Sequence, residues 1–173
     1  TKILLRIYEV ATSSPQISYT KVDFSLLIEE VLSEFNLLIK QNNIFIKNNI
    51  KKDTVYEIPT DAFFIREILR SVIENAIHYN KISGMVQIDI NTENDTLEMI
   101  ISDTGIGIPE REKDLIFNPF YRASNVLKLS FKGNGLRLYM AKLGLSLIGG
   151  KINFLSQENN GSKFYIYLPI KKV

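Results

Sequence analysis

The sequence has no cysteine, so disulfides and thiol chemistry are both excluded, which fits a reducing compartment. No run of about 18 apolar residues occurs, so nothing in these 173 residues reads as a bilayer span. No signal-like stretch is visible either. Basic residues never cluster beyond a Lys-Lys pair and the net charge is only +2, so no nucleic acid is an expected partner. Histidine occurs once, at position 78, and any histidine chemistry of the chain's own is confined to that position.

With 45% apolar and 23% charged residues, the composition is that of a globular domain, and the length suits one core of ordinary size or a domain plus a fragment of another. Residues 1–14 keep helical spacing through Ile3, Leu4, Ile7, Val10 and Ala11 until Ser13, Ser14 and Pro15 stop it. A helix this short and apolar is marginal alone, so it reads as the cut end of a longer helix. A linker is expected over 15–22. Asp23 is a good N-cap for an amphipathic helix with Leu27, Val31, Phe35 and Leu38 on one face, ending at Asn42 or Asn43. Ile44 to Lys47 and Val55 to Ile58 read as strands around a polar turn.

Pro59 to Asn80 reads as one long helix. At about 100° per residue, Ile68, Val72, Asn75 and Tyr79 share a face, with Ser71 and His78 at its margin and Glu67 just outside. An amide set among core residues costs roughly 1 to 3 kcal/mol if unpaired, so something should use Asn75. Two strands follow, one with Met85, Val86, Ile88 and Ile90 and one with Leu97, Met99, Ile100 and Ile101, joined by turn residues Asn91 to Thr96. The second runs into Asp103-Thr104-Gly105-Ile106-Gly107, a carboxylate at a strand end beside a backbone that a ligand can approach closely.

From Glu110 to Phe131 no continuous core element is expected, yet Leu115, Ile116, Phe117, Phe120 and Tyr121 are there. Apolar residues in a long glycine-bounded connection suggest a lid, or a satellite cluster under a surface loop. Lys132-Gly133-Asn134-Gly135 then opens a helix from Leu136 to Ile148, and glycines just ahead of a helix leave N–H groups free for an anion. Gly149-Gly150 ends it, and strands Lys151 to Ser156 and Lys163 to Pro169 close the chain around a turn at Glu158 to Gly161.

In this order the pieces resemble the ATP-binding domain of bacterial sensor histidine kinases, within the wider superfamily that includes gyrase and the large heat-shock chaperones. Glu74-Asn75-Ala76-Ile77-His78-Tyr79 is similar to the N box, Asp103 to Gly107 to the first glycine box, Phe117-Asn118-Pro119-Phe120-Tyr121-Arg122 to the F box and Gly133-Asn134-Gly135-Leu136 to the second glycine box. Gly161-Ser162-Lys163-Phe164 through Leu168-Pro169 is similar to the closing strand. The resemblance implies an α+β two-layer sandwich of the Bergerat type: a mixed sheet of about five strands with three helices on one face. It makes 23–173 the catalytic domain, with an ATP lid over about 105–133.

The resemblance also implies ATP and Mg²⁺ as ligands, held by Ser71, Asn75, His78, Tyr79, Asp103, Gly105, Gly107, Ile108, Phe120, Arg122, Lys132, Gly133, Gly135, Leu136 and Ser162. The chemistry of several of these agrees with that. Asp103 can accept a hydrogen bond from the exocyclic amine of adenine, where guanine presents an acceptor. Asn75 offers Mg²⁺ a neutral oxygen, and the ring of Tyr79 can lie against the base. Arg122, and with it Lys132, would meet the phosphates when the lid closes, which makes Asn75 and Arg122 the expected catalytic pair.

Three positions depart from the family pattern. Ser71 stands where a second Asn is usual, His78 where a Lys is usual, and Arg137 where a third glycine is usual. Arg137 either supplies charge that a largely neutral His78 does not, or faces solvent. Gyrase and chaperone relatives have a Glu at the place of Ser71 to activate water, so slow hydrolysis is expected here. Transfer to a histidine on an upstream helical hairpin, and on to the aspartate of a response-regulator receiver domain, remains open. The alternative is a degenerate scaffold or sensor that binds nucleotide without transfer. On the first reading residues 1–14 end the hairpin, the whole protein is a homodimer with membrane anchoring left open, and this cytoplasmic piece is mainly monomeric.

Overall fold

The computed structural model describes residues 17–51, 54, 56–127 and 133–170. Its first strand, β1 (Tyr19–Asp23), runs directly into helix α1 (Phe24–Glu34), and α1 is followed by the short helix α2 (Asn36–Gln41). Strands β2 (Phe45–Asn48) and β3 (Glu57–Asp61) precede the long helix α3 (Ala62–His78). Next come β4 (Met85–Glu93), β5 (Thr96–Asp103), a 3-10 turn at Glu110–Leu115, α4 (Arg137–Leu147), β6 (Lys151–Gln157) and β7 (Gly161–Pro169).

Five strands form one mixed sheet in the order β2-β4-β5-β7-β6, parallel only between β2 and β4. The period-2 alternation of the sequence sets its two faces. Val86, Ile88 and Ile90 on β4 lie beside Leu97, Met99 and Ile101 on β5, which in turn lie beside Leu168, Ile166 and Phe164 on β7, all buried. Gln87, Asp89, Glu98 and Lys163 alternate with them and stay partly exposed on the other face. Against the buried face α3 sets Phe64, Ile65, Ile68, Leu69, Val72, Ile73 and Ile77, with α1 and α4 beside it. The expected five-stranded α+β sandwich is therefore the observed architecture.

Several boundaries differ from the sequence reading. Residues 19–22, expected to be linker, form β1, which pairs antiparallel with β3 in a separate two-stranded ribbon. The two short strands expected around a polar turn do not pair with each other, since β2 joins β4 and β3 joins β1. Pro59 does not open the long helix. It belongs to β3, in a two-stranded ribbon where a missing N–H is tolerated. Asp61 is the N-cap instead, accepting from the N–H groups of Phe63 (3.0 Å) and Phe64 (3.2 Å). Asp23 caps α1 in the same way, from Ser25 (2.8 Å) and Leu26 (3.2 Å). The single helix expected to run from Asp23 to Asn42 breaks at Phe35.

The hairpin between β4 and β5 is also tighter than expected. Its ladder continues to Glu93 opposite Thr96, and only Asn94 and Asp95 turn, both at positive φ (48° and 57°). Asn and Asp tolerate that conformation, which a two-residue hairpin needs at both positions. Residues 1–14 and Lys132 lie outside the described residues.

Candidate active site

A cavity of about 680 Å³ lies along α3, between the end of β5 and the segments before and after 128–132. Positions 67, 71, 75 and 79 lie about one turn apart, and Glu67, Ser71, Asn75 and Tyr79 all line it. Asn75 is half-buried on this face and not set among core residues, so the cavity is what surrounds its amide. The buried polar groups of the helix are Ser71 and Glu74, the latter given no role of its own in the sequence reading.

At the end of β5, Asp103 presents its carboxylate to the cavity while Oδ1 accepts from the N–H groups of Gly105 (2.8 Å) and Ser162 (3.3 Å). Burial pushes its carboxyl up to about 6, against the pull of those two donors. The backbone here is packed without room for side chains. A Cβ on Gly105 would collide with the carbonyl oxygen of Tyr79, one on Gly107 with that of Gln157, and one on Gly161 with that of Asp103. Gly107 also sits at φ +61°, where only glycine is unstrained. Asn80 and Thr104, two residues not singled out in the sequence, complete the joint. Asn80 Nδ2 donates to the carbonyls of Ala76 and Met85, both at 3.0 Å, and Thr104 Oγ1 donates to Asn80 Oδ1 at 3.1 Å.

The connection from Ile106 to Leu127 is anchored at several points. Ile108 N–H donates to Ser156 Oγ (2.9 Å), Asn125 Nδ2 donates to the Gly107 carbonyl (3.0 Å), and Phe117 meets Phe154 edge-on. Glu112 ties the 3-10 turn to the far side of the loop. It accepts from Tyr121 Oη (3.0 Å), Ser124 N–H (2.7 Å) and Ser124 Oγ (2.6 Å). The two Ser124 donors are the main reason its carboxyl is held below the ordinary value.

Ile108, Arg122, Gly133, Gly135, Leu136 and Ser162 line the cavity as expected, together with Gly107. Gly105 supports Asp103 from just outside that lining. Phe120 does not line it: the residue is 72% exposed and its backbone is at φ +64°. His78 does not line it either. It turns to Glu74, with Nε2 3.4 Å from Oε1. Arg137 is not solvent-facing, because it lines the cavity with Nη2 2.7 Å from the same Oε1. Arg70 approaches Glu74 Oε2 at 3.5 Å and shares its guanidinium with Glu34. Burial alone would raise the Glu74 carboxyl, but His78, Arg137 and Arg70 together hold it below the ordinary value. Helix α4 has no side-chain N-cap, and Leu136 N–H is met by Asn134 Oδ1 at 3.2 Å.

The donor set suits a nucleotide with a hard cation. Among the described residues no three acids or histidines cluster to hold a metal, so a cation beside Asn75 would draw most of its ligands from phosphate and water. No described helix is long and apolar enough to cross a membrane.

The profile of the histidine kinase-, DNA gyrase B- and HSP90-like ATPases matches residues 60–172. The chain is 33% identical over 144 residues to the sensor histidine kinase WalK of Bacillus subtilis, covering 82% of this chain and 23% of that protein. It is 28% identical over 172 residues to the sensor protein kinase WalK of Staphylococcus aureus, covering 98% of this chain and 41% of that protein. The chain thus spans less than half the length of either. A nucleotide-free catalytic domain of histidine kinase ThkA superposes with a TM-score of 0.75 at 26% identity, over 89% of this chain and 99% of that one. ThkA in complex with response regulator protein TrrA gives a TM-score of 0.74 at 24% identity, over 98% and 47%.

Proposed function

Because the chain belongs to the histidine kinase-, DNA gyrase B- and HSP90-like ATPase family, we propose that it is the catalytic ATP-binding domain of a bacterial two-component sensor histidine kinase. The observation that carries this is the convergence on one cavity of a strand-end carboxylate, a helix amide, a guanidinium and an uncapped helix N-terminus, at Asp103, Asn75, Arg122 and Leu136. Asp103 accepts the adenine amine and Tyr79 lies against the base. Asn75 gives the hard cation a neutral oxygen, and the cation neutralises phosphate charge when bound. Arg122 and the N–H groups around Gly133 to Leu136 orient the terminal phosphoryl group.

The bond that breaks joins the γ-phosphorus to the β–γ bridging oxygen, and ADP carries that electron pair away. The new bond goes to an imidazole nitrogen of a histidine on a helical hairpin encoded upstream, from which a response-regulator aspartate takes the phosphoryl group. His78 is not that acceptor, since it lies against Glu74. ThkA, with its partner TrrA, supports the regulator as partner. The domain works in the cytoplasm, in a homodimer assembled through the hairpin.

Ser71 occupies the turn before Asn75, where superfamily ATPases carry a Glu, which favours transfer over hydrolysis. The other reading is a nucleotide-binding scaffold without transfer. It is favoured by His78, which faces Glu74 and not the cavity. Incubating the full-length protein with γ-labelled ATP and Mg²⁺ separates the two. Acid-labile label on the protein that Asn75→Asp abolishes is the expected result; ATP binding without label would make it a scaffold, and steady phosphate release would make it an ATPase.

A further inference from the structure

Position 137 opens helix α4, at an end where Gly135, Leu136 and Arg137 all line the cavity. Its guanidinium rests on Glu74, the residue just before Asn75, and is about one-third exposed. Glu74 has two neighbours besides Arg137, although its buried Oε2 has no hydrogen-bond partner. His78 lies 3.4 Å from Oε1 and Arg70 lies 3.5 Å from Oε2, so the carboxylate stays partnered if Arg137 leaves. Arg122 lines the same cavity, and both arginines pull the Tyr79 phenol down against the burial that raises it, so both charges are felt at that ring.

We propose that Arg137 reads the length of the nucleotide's phosphate chain: it rests on Glu74 while the site is empty and moves its planar fork onto the outer phosphates of a bound nucleoside triphosphate. This rests on the adenine-nucleotide reading given above. A phosphate chain carries more negative charge than one carboxylate and accepts the fork in the same bidentate geometry, so the exchange favours the longer chain. His78 and Arg70 then hold Glu74 alone. A nucleoside monophosphate ends too near the base to draw the arginine away. The residue thus discriminates ATP from AMP, and it does so at a position where the family's usual glycine has no side chain to use.

Calorimetric titration of this chain with ATP and AMP, with and without Mg²⁺, tests the proposal. Arg137→Gln should weaken ATP binding by about tenfold or more while AMP affinity stays within about twofold, and Arg137→Lys, which keeps charge without the fork, should fall between. Glu74→Gln releases Arg137 and should strengthen ATP binding several-fold without changing AMP. Circular dichroism checks that each variant is folded. Equal factors for ATP and AMP in Arg137→Gln, or no change in either, would overturn the proposal and leave Arg137 as a tie between α4 and α3. Failure of the unaltered protein to bind any adenine nucleotide would overturn the adenine reading, and this inference with it.

Discussion

Two buried glutamates, Glu74 and Glu112, are held by opposite means. Glu74 on α3 is surrounded by the guanidinium groups of Arg70 and Arg137 and the imidazole of His78. Glu112 at the base of the loop is held chiefly by a backbone N–H and two neutral hydroxyls. Both carboxyls are kept below their ordinary value, but the two arrangements do different things. A carboxylate among cations can give one up to another anion and keep the rest. A carboxylate among short neutral donors fixes where those donors are, and so fixes the loop's path from Tyr121 to Ser124.

Removing charge without shape should separate the two most strongly. Glu74→Gln leaves two guanidinium groups around a neutral amide and should lower unfolding free energy by roughly 1 to 3 kcal/mol, the partial exposure of the arginines keeping it below a fully buried pair. ATP should restore more of the melting temperature in this variant than in the unaltered protein. At Glu112 the same change should lower the melting temperature by less, because Ser124 Oγ can turn round and accept from the new amide. Glu112→Ala, which removes the acceptor altogether, should speed amide exchange across 111–127 while leaving the sheet protected. If Glu112→Gln proved the more damaging of the two Gln variants, the contrast between charge and shape would fail.

Acid sharpens the contrast further, because Asp103, whose carboxylate lines the cavity, is displaced the other way. Glu74 and Glu112 are depressed, so the stability each adds is present above the ordinary carboxyl value near 4.5 and is lost as pH falls through the lower one. Asp103 is raised from 3.8 to about 6, so its native form binds a proton more readily than the unfolded chain does. Between pH 6 and pH 4, therefore, protonating Asp103 raises fold stability while removing the acceptor for adenine. ATP affinity should fall by about tenfold per pH unit below about 6, with the melting temperature not falling in step. Titrations at pH 7, 6 and 5 beside melting curves would check both signs.

The smallest effect belongs to the wet counterpart of the Glu74 cluster. Glu34 accepts from Arg66 at 2.8 Å and Arg70 at 2.9 Å, and Glu30 from Arg66 at 2.7 Å, on the outside of α1 and α3. Glu30 is 62% exposed, so Glu30→Ala should cost no more than about 0.5 kcal/mol in a urea melt.

What the sequence made legible is local or periodic. The apolar runs read as strands are β4 and β5, and the strand-end Asp103 with Gly107, Asn75 and the glycines before α4 all came together on one cavity. Misplaced boundaries came from competing local signals. Pro59 resembles a helix opener, yet Asp61, two residues on, offers the better cap, and the helix starts there. Glu74 and His78 stand four residues apart on α3, a pair that helical spacing allows, but that Arg137 reaches the same carboxylate depends on α4 packing against α3. No spacing rule encodes a contact between residues so far apart in the chain. The same holds for Asn80 and Thr104, whose bonds join a helix end to two strands.

The three glycine contacts around Asp103 have a mechanical consequence. Where Gly105, Gly107 and Gly161 press backbone against backbone, there are no side chains to yield, and the joint cannot widen without parting β5 from α3 or from the β6–β7 turn. That end of the cavity behaves as the fixed root of a jaw. Compliance is left to the other end, where Phe120 stands in solvent and α4 begins without a cap, so a ligand gripped first by its base leaves only its tail to be closed upon.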